Sequence, residues 1–288
     1  MKIWNIILIA LSVLFFIVGL GMSIIPPEQF VEIGSIIAVV MISLPAFYGM
    51  WKIYGARGIW AILALGTFAL IIESIGIYTG WPYSPFEYTM PFGYRLLGTT
   101  PWTVFIAWSP LVIGAWLLAQ HWFTQNWSRF LVYIGMLVSA DIVLDPGAVA
   151  RGLWQYTNGG LWFDVPLQNF FGWIVSGTIA YVILRLIVKK FWIPASARMI
   201  NNMVIASDSA AISENKKDPV ISSDSREISP QGRDDKYILI ASLSLILSIF
   251  LWSGVNIGYQ LWLPAIIGII LGKVLIFGLF VEKKLSHK

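Results

Sequence analysis

Residues 141–173 read DIVLDPGAVARGLWQYTNGGLWFDVPLQNFFGW, and the rest of the chain is organised around them. An apolar run from Phe130 leads in, and another from Phe170 leads out. Asp141 and Asp145 sit four residues apart where the first run ends, so on a helix they share one face. Pro146 follows at once and predicts that regular helix stops there, because the residue before a proline is pushed out of the helical region. What comes next reads as a loop rich in Gly and Trp. Chemistry is expected here, and against Glu73.

Composition sets the class. Hydrophobic residues make up 58% of the chain and charged residues 12%, the balance of a polytopic membrane protein. Runs near the spanning length of about 20 residues lie at 3–24, 32–51, 58–78, 101–120, 128–145, 167–188, 237–255 and 259–281. The expected fold is therefore all-α, a transmembrane bundle of about eight helices in the cell membrane. Residues 1–190 hold the bundle with a motif core at 73–175, and 237–288 add two further spans. Between them, 191–236 turns rich in Ser, Asp, Asn and Lys and is expected to be a disordered cytoplasmic linker. No second soluble domain is expected.

Charge and cysteine content exclude several functions. There are no cysteines and only two histidines, His121 and His287; thiolate chemistry and a histidine-ligated metal cluster are ruled out. The net charge of +4 does not point to nucleic acid, because the Lys and Arg residues cluster at alternate helix connections. Lys2, Lys52 with Arg57, Arg129, Lys189 with Lys190 and Arg198, and the terminal lysines fall on one side. Only Arg95 and Arg151 fall on the other. The positive-inside rule then puts both termini in the cytoplasm and the loops 79–100 and 146–166 outside.

Along the chain, the first apolar run is too long for a signal peptide and lacks a small-residue cleavage site, so it reads as a retained anchor. Gly19 and Gly21 suit helix packing better than a dinucleotide site, because no strand precedes them. Gly268 and Gly272 form a similar packing step. Glu32 opens its helix, where a carboxylate suits the dipole. Glu73 lies roughly 9 Å inside the outer end of the third run, and a mid-helix carboxylate in a membrane normally faces the bundle interior with a partner or a task. The loop 79–100, TGWPYSPFEYTMPFGYRLLGTT, has more prolines and charges than an aromatic belt needs and reads as a folded-back lid. The fourth helix is expected to begin at Pro101 and to kink at Pro110. His121 reads as an interfacial residue.

Carboxylates crowded in an apolar bundle cannot all ionise cheaply, so at least one is expected to keep its proton beside a base. Glu73 and Asp141 form the favoured proton-handling pair, with Glu73 as the acid. Asp145 can act there too, or serve locally at the proline. Tyr78, Trp81, Tyr88, Tyr94, Trp108, Trp154, Tyr156, Asn169 and Trp173 are the candidate binding residues, with aromatic faces suited to a transient cation. This constellation fits protonation of an alkene followed by water addition. It also fits a different class of protein, a transporter or lipid-binding scaffold whose carboxylates carry protons.

Glu73, Gly76, the run TGWPYSPFEY (79–88), Gly93-Tyr94, Gly98 and Pro101 resemble the first motif block of the integral-membrane carotenoid biosynthesis family. That family includes carotenoid hydratases of the bacterioruberin and myxoxanthophyll-type pathways. Asp141, Leu144-Asp145-Pro146, Gly152 to Trp154, Gly159-Gly160, Val165-Pro166 and Asn169 to Trp173 resemble its second block. Asp164 stands where the family pattern has Gly, and Tyr156 where it has a second Trp. The resemblance implies hydration of the acyclic end of a lipophilic polyene, with no cofactor. Membrane lipid and other enzymes of the pathway are the implied partners.

Overall fold

Apolar segments in a membrane have no water to bond their backbone, so each must close its own hydrogen bonds as a helix. The computed structural model describes residues 2–25, 32–90, 93–96, 98–188 and 230–285. Its helices are α1 (Lys2–Ile24), α2 (Glu32–Tyr54), α3 (Ala56–Thr79), α4 (Val104–Ala107), α5 (Ser109–Trp122), α6 (Asn126–Ala150), α7 (Leu167–Val188), α8 (Pro230–Gly258) and α9 (Trp262–Leu285). With α4 and α5 counted as one, eight helical stretches of the described residues are long and apolar enough to cross a membrane. The linker read at 191–236 lies outside the described residues as far as 229. α8 begins at Pro230, ahead of the apolar run read from 237.

The helices form a ring with an axle. α2, α3, α7, α6 and α8 each pack on the next in that cyclic order, and α5 runs through the middle in contact with all five. The α4–α5 span is accordingly the most buried of the eight. α1 packs outside the ring on α8, and α9 packs outside on α8 and α6. Small residues set the closest approaches, where any side chain would meet a neighbouring backbone. Gly19 of α1 abuts Leu251, Gly254 of α8 abuts Phe16, and Gly49 of α2 abuts Tyr237 and Ala241. Gly268 faces Ser253 and Val143, and Gly272 faces the Phe250 ring. Ile37, Ile71, Leu186 and Phe277 point outward and exposed, as lipid-facing positions do.

Pro146 does not end its helix. α6 continues to Ala150, because other side chains take up the bonds that the proline disturbs. A proline inside a helix removes the bond to the carbonyl four residues back and pushes on it. Here that carbonyl, Ile142 O, accepts from the Trp162 indole N–H at 3.0 Å. Its neighbour Val143 O accepts from Asn256 Nδ2 at 2.7 Å. Pro45 within α2 is handled in a related way, with Ala46 N–H donating to Ser244 Oγ at 2.9 Å. α8 thus supplies a polar group at each of the two prolines. The fourth span also differs from its sequence reading. It begins at Val104, Pro101 lies in a short strand, and Pro110 sits in the first turn of α5 after a break at Trp108, a position that needs no N–H.

The two loops at one end of the bundle close over it together. β1 (Phe86–Tyr88) from the first loop pairs antiparallel with β4 (Trp154–Tyr156) from the second, while β2 (Arg95–Leu96) pairs with β3 (Thr100–Pro101). Arg95 Nη2 donates to Tyr88 O at 2.7 Å and Thr89 Oγ1 to Gly152 O at 2.6 Å. Gln168 at the start of α7 reaches Gly80 O at the end of α3, 3.0 Å away. Gly80 ends α3 with φ 73°, a left-handed turn that glycine adopts freely.

The charge alternation assigns this lid end to the outside. The chain has no cysteine, so Leu161→Cys, at a position 90% exposed in the lid loops, should react with a membrane-impermeant maleimide on intact cells. Gln125→Cys, in the connection between α5 and α6, should react only after permeabilisation. The opposite pattern would invert the assignment.

Candidate functional site

Strand alternation makes the roof. Neighbouring residues of a strand point to opposite faces, and the β1–β4 register pairs Phe86 with Tyr156 and Tyr88 with Trp154. These four aromatics therefore share one face, turned toward the bundle, while Glu87 and Gln155 face away and are exposed. Their rings interlock edge-on or tilted, with centroids 5.8 Å apart for Phe86–Tyr88 and 5.9 Å for Phe86–Tyr156 and Tyr88–Trp154. Tyr83 precedes them, its ring held where Gly76 of α3 and Gly172 of α7 leave room; a Cβ at either glycine would collide with it.

The two roof tyrosines each reach a carboxyl. Tyr88 Oη donates to Glu73 Oε2 at 3.3 Å, and Tyr156 Oη donates to Asp145 Oδ2 at 2.7 Å. Burial pushes both phenols well above their ordinary range, so they keep their protons and act as donors. Asn169, in the first turn of α7, places Nδ2 between the two aspartates of α6, 2.8 Å from Asp141 Oδ2 and 2.6 Å from Asp145 Oδ2. The four-residue spacing brings both carboxyls to one face of α6, as their sequence separation requires. Asp141 is fully buried, and among the described residues its Oδ1 has no hydrogen-bond partner.

Below the roof lies a chamber of about 170 Å³. Glu73, Asp145 and Asn169 open onto it, and its remaining wall is mainly aromatic and aliphatic. Trp108 and Trp173 flank one side with ring centroids 5.9 Å apart. α4 and the start of α5 form the floor through Thr103, Val104, Ala107 and Leu111, and α8 contributes Ser248, Leu251 and Trp252.

Of the residues singled out in the sequence, Glu73, Asp145, Tyr88, Trp108, Trp154, Tyr156, Asn169 and Trp173 line this chamber. Asp141 does not; it accepts a hydrogen bond from Asn169, which does. Its position one turn deeper on α6 explains this, since α6 stays helical through Pro146 and carries Asp145 to the wall. Tyr78, Trp81 and Tyr94 are not lining residues. They are 62%, 51% and 76% exposed; Tyr78 is five residues past Glu73 and so points away from it on the helix, Trp81 lies in the turn after α3, and Tyr94 directly precedes β2. Asp164 has φ 66°, a backbone conformation in which aspartate is among the tolerated side chains. Sequence reading missed Tyr83 and Phe86, although the two-residue period linking Phe86 to Tyr88 carries the second. It also missed Ser248, Leu251 and Trp252, for which no motif or period gives a signal.

A family model described as carotenoid biosynthesis protein matches residues 30–212. Bisanhydrobacterioruberin hydratase of Haloarcula japonica is 29% identical over 238 residues, covering 81% of this chain and 68% of that protein. No solved structure matches.

Asn169→Leu would leave two buried aspartates without their shared donor, at a cost of about 1–3 kcal/mol. Asp141→Leu in the same background should recover part of that loss, because it removes one of the orphaned groups. Thermal unfolding of the two single variants and the double variant in detergent measures the coupling. A coupling of zero would mean that the bridge contributes nothing to stability.

Proposed function

The chain belongs to the carotenoid biosynthesis protein family, and from that premise we propose that it is a membrane-embedded carotenoid hydratase of the cell membrane. It adds water across the terminal C=C of an acyclic end group to give a tertiary alcohol. The observation that carries this reading is the pair Glu73 and Asp145. They come from different helices, face one apolar chamber, and each accepts a hydrogen bond from a tyrosine of the same ribbon.

The two carboxyls differ in their donors, and the difference supports different roles for them. Asp145 Oδ2 receives two short hydrogen bonds, from Tyr156 and Asn169, which suits a proton acceptor. Glu73 receives one long hydrogen bond from Tyr88 and has an oxygen left over, which suits a donor. Glu73 gives its proton to the less substituted alkene carbon, leaving a tertiary cation. The faces of Trp108, Trp154 and Trp173 stabilise that charge. A water beside Asp145 attacks the cation through oxygen and loses a proton to the carboxylate. Passing that proton back to Glu73 completes the cycle, and the net change is one water added. Asp141 touches neither reactant and acts as a positioning residue through Asn169. Nothing in the family match or the named relative favours the alternative of a non-enzymatic transporter or scaffold. Membrane lipid around the bundle and other enzymes of carotenoid synthesis are the remaining partners of this reading.

Glu73→Gln and Asp145→Asn keep shape and remove the exchangeable proton. Each should lower turnover by a factor of about 100 or more, the scale of general acid–base contributions, with protein level unchanged. Asp141→Asn should cost less. Turnover is measured as the product heavier by one water in a host making an acyclic carotenoid. Wild-type turnover by both chamber variants would overturn the mechanism, and loss of protein instead of rate would make the two carboxyls structural.

A further inference from the structure

The chamber is too small for its substrate. A cavity of about 150 Å³ takes benzene, six carbons, and this one is about 170 Å³. An acyclic carotenoid has several times as many carbons, so on the hydratase reading only the end group fits, and the polyene tail must leave through a wall.

One wall differs from the others. In the inner half of the bundle α2 and α8 touch closely, at Gly49 against Ala241 and at Ala46 against Ser244. In the outer half α8 also makes close contacts with α1, at Gly19–Leu251, Gly254–Phe16 and Gly258–Ser23. At that level Val39, Ile42 and Ser43 of α2 and Ser248, Leu251 and Trp252 of α8 line the chamber, and Met22 of α1, a helix outside the ring, joins them in its wall. Met22, Ile42, Leu251 and Val255 form a small cluster of their own, separate from the main core. Among the described residues α1 and α2 scarcely touch each other, although both pack on α8. α1 is held at its outer end by Arg151, whose guanidinium donates to Met22 O and to Ile25 O. Met22, Ile42 and Leu251 thus stand along the seam between α1 and α2, and the flexible methionine is its most adaptable part.

We infer that the polyene tail passes out of the chamber sideways through the seam between α1 and α2, beside Met22, Ile42 and Leu251. The end group lies at Glu73 and Asp145 while the rest of the chain stays in the lipid. Met22, Ile42 and Leu251 then determine specificity for a long, methyl-branched polyene tail, and they act apart from the acid–base pair. This inference rests on the carotenoid reading but not on which carboxyl gives the proton.

Photo-methionine, a diazirine of nearly methionine shape, can replace the chain's eight methionines and be irradiated with bound substrate. An acyclic carotenoid should then become attached to the peptide carrying Met22, and not to that of the fully buried Met50. A short acyclic isoprenoid of about the size the cavity holds, with the same terminal double bond, should in excess abolish the carotenoid adduct at Met22 by filling the chamber; an adduct that persists would come from carotenoid lying in the lipid and would overturn the path. Absence of the carotenoid adduct at Met22, whether or not other methionines are labelled, would overturn the proposed path. Turnover is followed in the same samples. Labelling of Met22 without hydration would keep the path and remove the hydratase reading, and hydration without labelling would do the reverse.

Discussion

Two aspartates buried in an apolar bundle need hydrogen-bond donors, and the amide of Asn169 supplies one to both. Charged or polar groups left unpaired in such surroundings are costly, so the contact of Asn169 with Asp141 and Asp145 ties the start of α7 to the outer half of α6. Much of the site follows from that tie. With α6 and α7 fixed side by side, Tyr156 on the returning loop reaches Asp145, and its strand is then in register with β1, which brings Tyr88 to Glu73. The lid is built onto the carboxyls it covers.

The same region shows why a proline can stand within α6. Pro146 frees a carbonyl, and the indole of Trp162 takes it; Asn256 takes the next one. One of these donors comes from the loop after α6 and the other from α8. The helix therefore stays regular long enough to carry Asp145 to the chamber, and it does so only in the presence of its neighbours. A site assembled in this way holds Asp145 from several elements at once.

How much of this was legible in the residues depends on the range of each interaction. Composition and run length revealed the spans, because hydrocarbon imposes the same demand on every segment. The four-residue spacing of Asp141 and Asp145 revealed their common face. Glu73 stood out because a lone carboxylate within a span is expensive. What stayed hidden depended on partners distant in sequence. The break expected at Pro146 is prevented by Trp162 and Asn256, and no local rule names them. The choice between Asp141 and Asp145 rests on which one meets the chamber, and so on that helix continuing. The role of α8, which lines the chamber with Ser248, Leu251 and Trp252, is carried by ordinary apolar and small residues that resemble any packing face. Tyr78, Trp81 and Tyr94 share their residue types with the lining aromatics, and only the helical phase and the loop path separate them.

The central claim is that two carboxyls add solvent water to an alkene, one giving a proton and the other taking one. The most direct measurement is the isotopic composition of the product when the purified protein acts on an acyclic carotenoid in water enriched in both oxygen-18 and deuterium. The account predicts a tertiary alcohol carrying one solvent oxygen and one non-exchangeable deuterium on the neighbouring carbon. A hydroxylated product without oxygen from the solvent, or without deuterium bound to carbon, would contradict it.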